Sequence, residues 1–220
     1  MARLRVGILI SGRGSNMQAL IEACRRPGFP AEIALVLSNE AGAAGLARAQ
    51  AAGIATRVLD HRDFNKDRPA FERALTAALD EAGVEFVCLA GFMRILSETF
   101  VAHWRDRLIN IHPSLLPAFR GLDTHKRALE AGVRLHGCTV HFVRAAMDEG
   151  PIIVQAAVPV LPGDDEAKLA ARVLAAEHRC YPLALMLAAE KRLRIEHERC
   201  FIDGAPAQEA VLINPPPLLG

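Results

Sequence analysis

The sequence lacks an excess of charge of either sign. Its 220 residues carry 26 Lys and Arg against 25 Asp and Glu, which gives a formal net charge of +1. This balance removes the general electrostatic argument for a nucleic-acid or anionic-membrane partner, although a local basic pocket remains compatible with it. Hydrophobic residues make up 51% of the chain, so a sizeable core can be buried.

Long apolar runs are also missing. No window approaches 18 consecutive apolar residues, so the sequence predicts no membrane span. The apolar run at residues 6–10 is too short for the core of a signal peptide, and glycine-rich sequence follows it where a cleavage site would be needed. We therefore expect a cytoplasmic protein.

Motifs that bind metals or form disulfides are absent from the sequence. The five cysteines are scattered and form no CxxC pair, which favours free thiols in a reducing compartment. No HExxH motif occurs, and the spacing of His136 and His141 would place them on opposite faces of a strand. We expect no metal cofactor.

Short apolar segments alternate with helical patterns along the chain. Strands are predicted at residues 4–10, 32–38, 55–60, 84–91, 107–113, 135–143 and 151–160, with a terminal hairpin at 193–204. Helices are predicted at 15–25, 44–53, 68–83, 98–104, 123–132 and 164–192. Near-continuous apolar strands joined by helices indicate a mostly parallel sheet with helices on both faces. We expect one α/β domain over residues 1–220.

Several residues are predicted to mark the ends of these helices. Ser15 is a suitable N-cap for the first helix, and Asp123 or Thr124 for the helix at 123–132. Gly53 and Gly83 are expected to close the second and third helices. Pro182 is expected to kink the long helix or to lie near a break in it. Residues 214–220 are expected to form a loose tail.

The glycine-rich segment SGRGSN, residues 11–16, follows the first strand and opens the first helix. Free amide groups at a helix N-terminus, with glycines that admit close approach, favour phosphate binding. The segment is not a Rossmann fingerprint, because Met17 occupies the third glycine position, and it lacks the GK[ST] of a P-loop. The alternative is a tight strand-to-helix turn without a ligand.

Asn110 and His112 lie at the end of an apolar strand, which Pro113 prevents from continuing. Their i, i+2 spacing places both side chains on one side of the strand. Ligands bind at this edge of a parallel sheet, and an amide beside an imidazole can stabilise the oxyanion of an acyl transfer. A buried pair that satisfies backbone groups is the alternative.

The sequence alone does not decide which carboxylate would assist His112. Asp148 lies in a loop between two predicted strands, but Glu149, Asp164 and Asp165 are equally available. Neither a GxSxG elbow nor a cysteine in an activating motif is present. The attacking group is therefore expected to belong to a substrate.

Four segments together closely resemble the phosphoribosylglycinamide formyltransferases, which belong to the folate-dependent formyltransferases. These segments are SGRGSN, AGFMRILS, INIHPSLLPAFRGLDTH and HGCTVHFV with MDEGPIIVQ, and the resemblance covers residues 6–187. It implies a Rossmann-like fold. In this reading the N-terminal half binds the phosphate and ribonucleotide, and the C-terminal half completes the folate and catalytic site.

The resemblance also implies roles for individual residues. The residues matching the catalytic trio are Asn110, His112 and Asp148. Those matching the ribonucleotide site are Gly14, Ser15, Asn16 and Glu177. Those matching the folate site are Arg68, Met93, Arg94, Ile95 and Leu96. Roles after Leu193 stay open, because the match there is weaker.

The implied reaction is formyl transfer from 10-formyltetrahydrofolate to the amine of glycinamide ribonucleotide. Asn110 and protonated His112 would stabilise the oxyanion, and Asp148 would keep His112 charged and help to move the proton. The implied partners are these two small molecules only, and the enzyme would be a monomer or homodimer.

The alternatives are formyltetrahydrofolate hydrolase, methionyl-tRNA formyltransferase and a non-catalytic phosphometabolite-binding module. The two enzymes would need a further N-terminal or basic C-terminal domain, respectively.

Overall fold

The computed structural model describes residues 2–205 and 212–214. Its central sheet consists of β1 (Leu4–Ile10), β2 (Ala31–Ser38), β3 (Thr56–Val58), β4 (Phe86–Leu89), β5 (Leu108–His112), β6 (Leu135–Phe142) and β7 (Ile152–Pro159). The strand order is β3-β2-β1-β4-β5-β6-β7. The first five strands are parallel, whereas β6 is antiparallel to both β5 and β7. The prediction of a mostly parallel α/β sheet is confirmed.

Helices cover both faces of this sheet, as expected. They are α1 (Ser15–Cys24), α2 (Ala44–Ala51), α3 (Arg68–Glu81), α4 (Glu98–His103), α5 (Thr124–Glu130) and α6 (Glu166–Ala189), with a 3₁₀ turn at His61–Phe64. Alternate residues of β1 enter two separate cores. Val6, Ile8 and Ile10 join the core formed with α1, α2 and α6, while Leu9 joins the core formed with α3 and α4.

The predictions for the helix ends are partly confirmed. Gly53 and Gly83 follow α2 and α3 with positive φ angles of 74° and 64°, as helix-closing glycines do. The prediction for Ser15 is wrong, because α1 begins with Ser15 and its N-cap is Gly14, at φ 70°. Asp123 is the N-cap of α5 but makes no capping hydrogen bond through its side chain. The left-handed conformation of the α1 N-cap suits Gly14, because glycine has no Cβ to clash with the backbone.

Helix α6 is continuous through Pro182, so this proline does not end it. The neighbouring Tyr181 is fully buried against the sheet. Its hydroxyl donates to the carbonyl of Leu89 at 2.8 Å and lies 3.3 Å from the carbonyl of Ile109. These two carbonyls belong to adjacent strands, β4 and β5, so α6 is attached to both.

The predicted terminal hairpin is confirmed as the antiparallel pair β8 (Leu193–Glu196) and β9 (Arg199–Ile202). The predicted tail lies outside the described residues except for Asn214, whose side chain donates to the carbonyl of Arg134 at 2.6 Å. All five cysteines are free thiols. Within residues 2–205 and 212–214, no helix is both long and apolar enough to cross a membrane.

Candidate active site

The glycine-rich segment and the segment after β4 meet at the carboxyl edge of the sheet. The amide of Ser11 donates to the carbonyl of Gly91 at 3.0 Å, and the Ser11 hydroxyl accepts from the amide of Met93 at 2.7 Å. The sequence pattern predicted a ligand site at this edge of the sheet. These two bonds place the expected phosphate loop directly beside the expected folate segment.

Gly14 fits where a larger residue would not. A Cβ atom at this position would lie 2.9 Å from Cα of Gly45, at the start of α2, and the positive φ angle of Gly14 would add strain. The adjacent Gly45 amide donates to the carbonyl of Gly12 at 3.0 Å. The loop is thus packed closely against α2, while Ser15 and Asn16 form the first turn of α1, whose amides suit an anion.

Asn16 and Glu177 are directly bonded, although they are 161 residues apart in the chain. Asn16 Nδ2 donates to Glu177 Oε2 at 2.7 Å. Burial raises the pKa of the Glu177 carboxyl, and the bond from Asn16 opposes this effect. Asn16 Oδ1 is buried and has no hydrogen-bond partner among the described residues. The pair therefore offers an acceptor to a ligand that carries hydroxyl or amine donors.

Asn110 is oriented by His141, which lies opposite it on the neighbouring antiparallel strand. The His141 Nδ1–H donates to the carbonyl of Phe142 at 2.9 Å, which leaves Nε2 to accept from Asn110 Nδ2 at 3.3 Å. Burial lowers the pKa of the His141 imidazole, in keeping with this neutral form. One N–H of the Asn110 amide therefore remains for a ligand.

His112 has a polar partner at each ring nitrogen. Its Nε2–H donates to the carbonyl of Phe119 at 3.0 Å, and its Nδ1 lies 3.5 Å from Asp148 Oδ2. The same carboxylate oxygen accepts from the amide of Gly121 at 2.9 Å. Asp148 itself holds a left-handed backbone conformation, φ 58°. His112 reaches an oxyanion only after one of its two contacts opens.

The sequence left four acids open as partners of His112, and Asp148 is the one whose carboxylate lies beside the His112 ring. Of the others, Glu149 pairs with Arg120. Asp164 pairs with Arg172 at 2.7 Å, and Asp165 caps α6 by accepting from the amide of Lys168 at 2.8 Å. Asp148 also lies 4.0 Å from His141, so its carboxylate stands between two imidazoles. Of these four acids, the geometry places Asp148 beside His112.

The loop after Pro113 is held in place by Thr139, which pairs with His112 across β5 and β6. The Thr139 hydroxyl donates to the carbonyl of Ser114 at 2.7 Å and accepts from the amide of Leu116 at 3.0 Å. Gln155 adds a bond to the Leu116 carbonyl at 2.9 Å. The carbonyl of Phe119 is thereby presented to His112 by a fixed segment.

The residues expected to bind folate differ in exposure. Met93 and Ile95 are 67% and 69% exposed, whereas Leu96 is buried in the core. Arg68 and Arg94 line one small pocket together with Ile95. Arg68 Nε donates to Glu72 at 3.1 Å, which fixes its position. Exposed apolar side chains beside two guanidinium groups suit a ligand that combines an aromatic ring with a carboxylate.

Sequence reasoning missed His141, the backbone of Phe119 and the amide of Gly121. Only His141 had a signal, namely its position opposite Asn110 once β5 and β6 are paired. His136 instead contacts the rings of His125 and Phe119, with centroids 5.3 and 5.8 Å away. No group of three or more ligating side chains capable of holding a metal ion occurs in the described ranges.

An open α/β sheet with a glycine-rich loop and an Asn–His–Asp cluster at its carboxyl edge defines a Rossmann-like α/β protein. The chain belongs to the formyl transferase family, whose sequence profile matches residues 4–185. Phosphoribosylglycinamide formyltransferase of Escherichia coli (strain K12) is 47% identical over 91% of this chain and 94% of its own length.

Two further relatives extend this comparison. The structure of glycinamide ribonucleotide transformylase 1 from Symbiobacterium toebii matches with a TM-score of 0.88 and 50% identity, covering 91% of this chain and 94% of that one. The trifunctional purine biosynthetic protein adenosine-3 of Drosophila pseudoobscura pseudoobscura is 58% identical over 87% of this chain. The matched region spans only 14% of that longer relative.

Proposed function

We propose that the chain transfers the formyl group of 10-formyltetrahydrofolate to the amine of 5′-phosphoribosylglycinamide, giving formylglycinamide ribonucleotide and tetrahydrofolate in de novo purine biosynthesis. The observation that carries the proposal is the position of Asp148, which lies 3.5 Å from His112. Asn110 stands on the same strand, and the sequence offers no protein nucleophile motif. Such a site suits a reaction whose nucleophile is a substrate amine.

The proposed mechanism assigns one task to each catalytic residue. The amine of the ribonucleotide attacks the formyl carbon, and the carbonyl oxygen gains negative charge. The remaining N–H of Asn110 donates to this oxygen, and the Nε2–H of a protonated His112 donates to it after leaving the carbonyl of Phe119. Asp148 stabilises the His112 cation and receives the proton from the attacking nitrogen, directly or through water. The carbon–nitrogen bond to folate then breaks as that proton passes to the folate nitrogen.

We assign the ribonucleotide to the N-terminal half of the chain and the formyl donor to the adjoining edge. The phosphate is bound by Gly14, Ser15 and Asn16 through the backbone amides of α1. Glu177 and Asn16 Oδ1 accept hydrogen bonds from the ribose or the glycinamide. The pterin and its carboxylate tail contact Arg68, Met93, Arg94 and Ile95, with Leu96 supporting this segment from the core.

A formyl-transfer assay with and without glycinamide ribonucleotide tests the proposed function. We expect deformylation of 10-formyltetrahydrofolate to depend on the ribonucleotide, with formylglycinamide ribonucleotide formed in equal amount. Deformylation at the same rate without the amine would identify a hydrolase. Binding of both ligands without turnover would identify a non-catalytic binding module. Either result would contradict the proposal.

We expect Asn16→Ala to weaken ribonucleotide binding by about tenfold and to leave folate binding within about twofold. The substitution removes the bond to Glu177 at 2.7 Å and leaves a buried carboxylate without its partner. Calorimetric titration with each ligand measures both affinities. Gln18→Ala is the matched control, because Gln18 lies on the same helix but bonds to the exposed Glu22. An equal loss of affinity for both ligands would contradict the assignment of Asn16 to the ribonucleotide site.

We also propose that the enzyme acts in the cytoplasm, as a monomer or homodimer, on small molecules rather than nucleic acid or membranes. The near-neutral formal charge of +1 supports small molecules, rather than nucleic acid or anionic membranes, as partners. The five free thiols support a reducing compartment.

A further inference from the structure

The turn of the β8–β9 hairpin lies against the beginning of the loop that carries Asp148. At this turn, Glu198 accepts from Arg144 Nε at 2.5 Å and from Arg105 Nη2 at 2.6 Å. Arg144 Nη2 donates in addition to Asp106 at 2.7 Å. The hairpin thus contacts both the segment that leads into β5 and the segment that leaves β6.

Arg144 is more buried than is usual for a surface cation. Its side chain is only 11% exposed, against 51% for Glu198 and 45% for Asp106. Its Nη1 donates to the carbonyl of Val143 at 3.1 Å, so all three of its nitrogens have partners. The hydrogen bond from Arg144 lowers the pKa of the Glu198 carboxyl. A guanidinium held by several acceptors in one fork geometry has little rotational freedom.

The stem of Arg144 also borders the far end of the same loop. A Cβ atom at Gly150 would collide with the carbonyl of Phe142 and lie 3.3 Å from Cγ of Arg144. The loop therefore folds back, so that Gly150 packs against the residues at which β6 ends. Asp148 is two residues before Gly150 and holds a left-handed backbone conformation, φ 58°.

We propose that Glu198, acting through Arg144, is a positioning residue that holds Asp148 at its distance from His112. The inference rests on the proposed function, in which Asp148 stabilises the His112 cation and receives a proton. Glu198 fixes the head group of Arg144, the stem of Arg144 limits the position of Gly150, and Gly150 limits that of Asp148. The C-terminal hairpin then serves the active site from outside the proposed ligand sites.

Glu198→Ala should lower kcat by about three- to tenfold, with KM for both substrates within about twofold. A loosened Asp148 affects the chemical step and leaves the binding loops unchanged. Glu198→Gln should restore part of the loss, because its amide oxygen still accepts from Arg144. Glu196→Ala is the matched control, since Glu196 lies on the same hairpin and pairs with Arg194. It should leave kcat unchanged.

The decisive measurement is the effect of Glu198→Ala in an Asp148→Asn background. Positioning predicts that the second substitution then lowers kcat no further, because the group being positioned is already absent. If Glu198→Ala lowers kcat by the same factor with and without Asp148→Asn, the positioning role is wrong. The same holds if Glu196→Ala lowers kcat as much as Glu198→Ala does. Neither result would affect the proposed function. Parental turnover in Asp148→Asn itself would overturn the proposed function, and the positioning role with it.

Discussion

Replacing His112 with alanine should lower kcat for formyl transfer by about a thousandfold, while ribonucleotide affinity stays within about twofold. His112 is 5% exposed, and its ring nitrogens face the Phe119 carbonyl and the Asp148 carboxylate. Its loss removes the cation proposed to stabilise the oxyanion. The proposed ribonucleotide site lies at the start of α1 and on α6, and the substitution changes neither helix. Steady-state kinetics and calorimetric titration measure the two quantities.

His103→Ala controls for the loss of an imidazole, because His103 is exposed at the end of α4. Its turnover should match that of the parent enzyme. Thermal unfolding should show that His112→Ala remains folded at the assay temperature. Near-parental turnover in His112→Ala would contradict the proposed mechanism, whatever the affinities.

Asp148→Asn should lower kcat by about a hundredfold and should leave the backbone of the loop intact. Asparagine has the same shape and tolerates the left-handed conformation that Asp148 holds at φ 58°. Its oxygen can still accept from the amide of Gly121. The neutral amide, however, neither stabilises a cationic His112 nor receives a proton. The reduction should therefore appear in kcat, with little change in KM for either substrate.

Asp165→Asn is the matched control for this substitution. Asp165 caps α6, and asparagine caps helices as well as aspartate does. Both substitutions remove one negative charge from a loop, so any general electrostatic effect is shared between them. Equal kcat losses in the two variants would show that Asp148 acts through overall charge and not through His112.

Much of the fold follows from periodicity in the sequence. Apolar runs predicted the strands of the sheet most clearly at its centre, where burial on both faces leaves little room for polar residues. Gly53 and Gly83 marked helix ends because positive φ angles exclude most other residues. Ser15 was misassigned as a cap, since local sequence does not reveal that close packing against α2 requires Gly14 in that position. Helix α6 continues past Pro182, although proline has no backbone N–H to donate within the helix. The packing of α6 therefore compensates for that missing hydrogen bond.

The active site was predictable where its residues are close in sequence. Asn110 and His112 share one strand, so their spacing alone placed them on one face. His141 was missed because its role depends on the antiparallel register between β5 and β6, which no local pattern reports. The bond between Asn16 and Glu177 spans 161 residues, and the contacts of Glu198 depend on tertiary packing. Backbone groups such as the Phe119 carbonyl carry no side-chain signal at all.

The buried Tyr181 connects α6 to strands β4 and β5. Its hydroxyl bonds to the Leu89 carbonyl and lies 3.3 Å from that of Ile109, the residue before Asn110. One helical turn earlier, the same helix carries Glu177, which is bonded to Asn16. Asn16 and Glu177, which are proposed to bind the ribonucleotide, are thus connected through one rigid helix to the strand of Asn110. Tyr181 therefore sets the distance between these two parts of the candidate site.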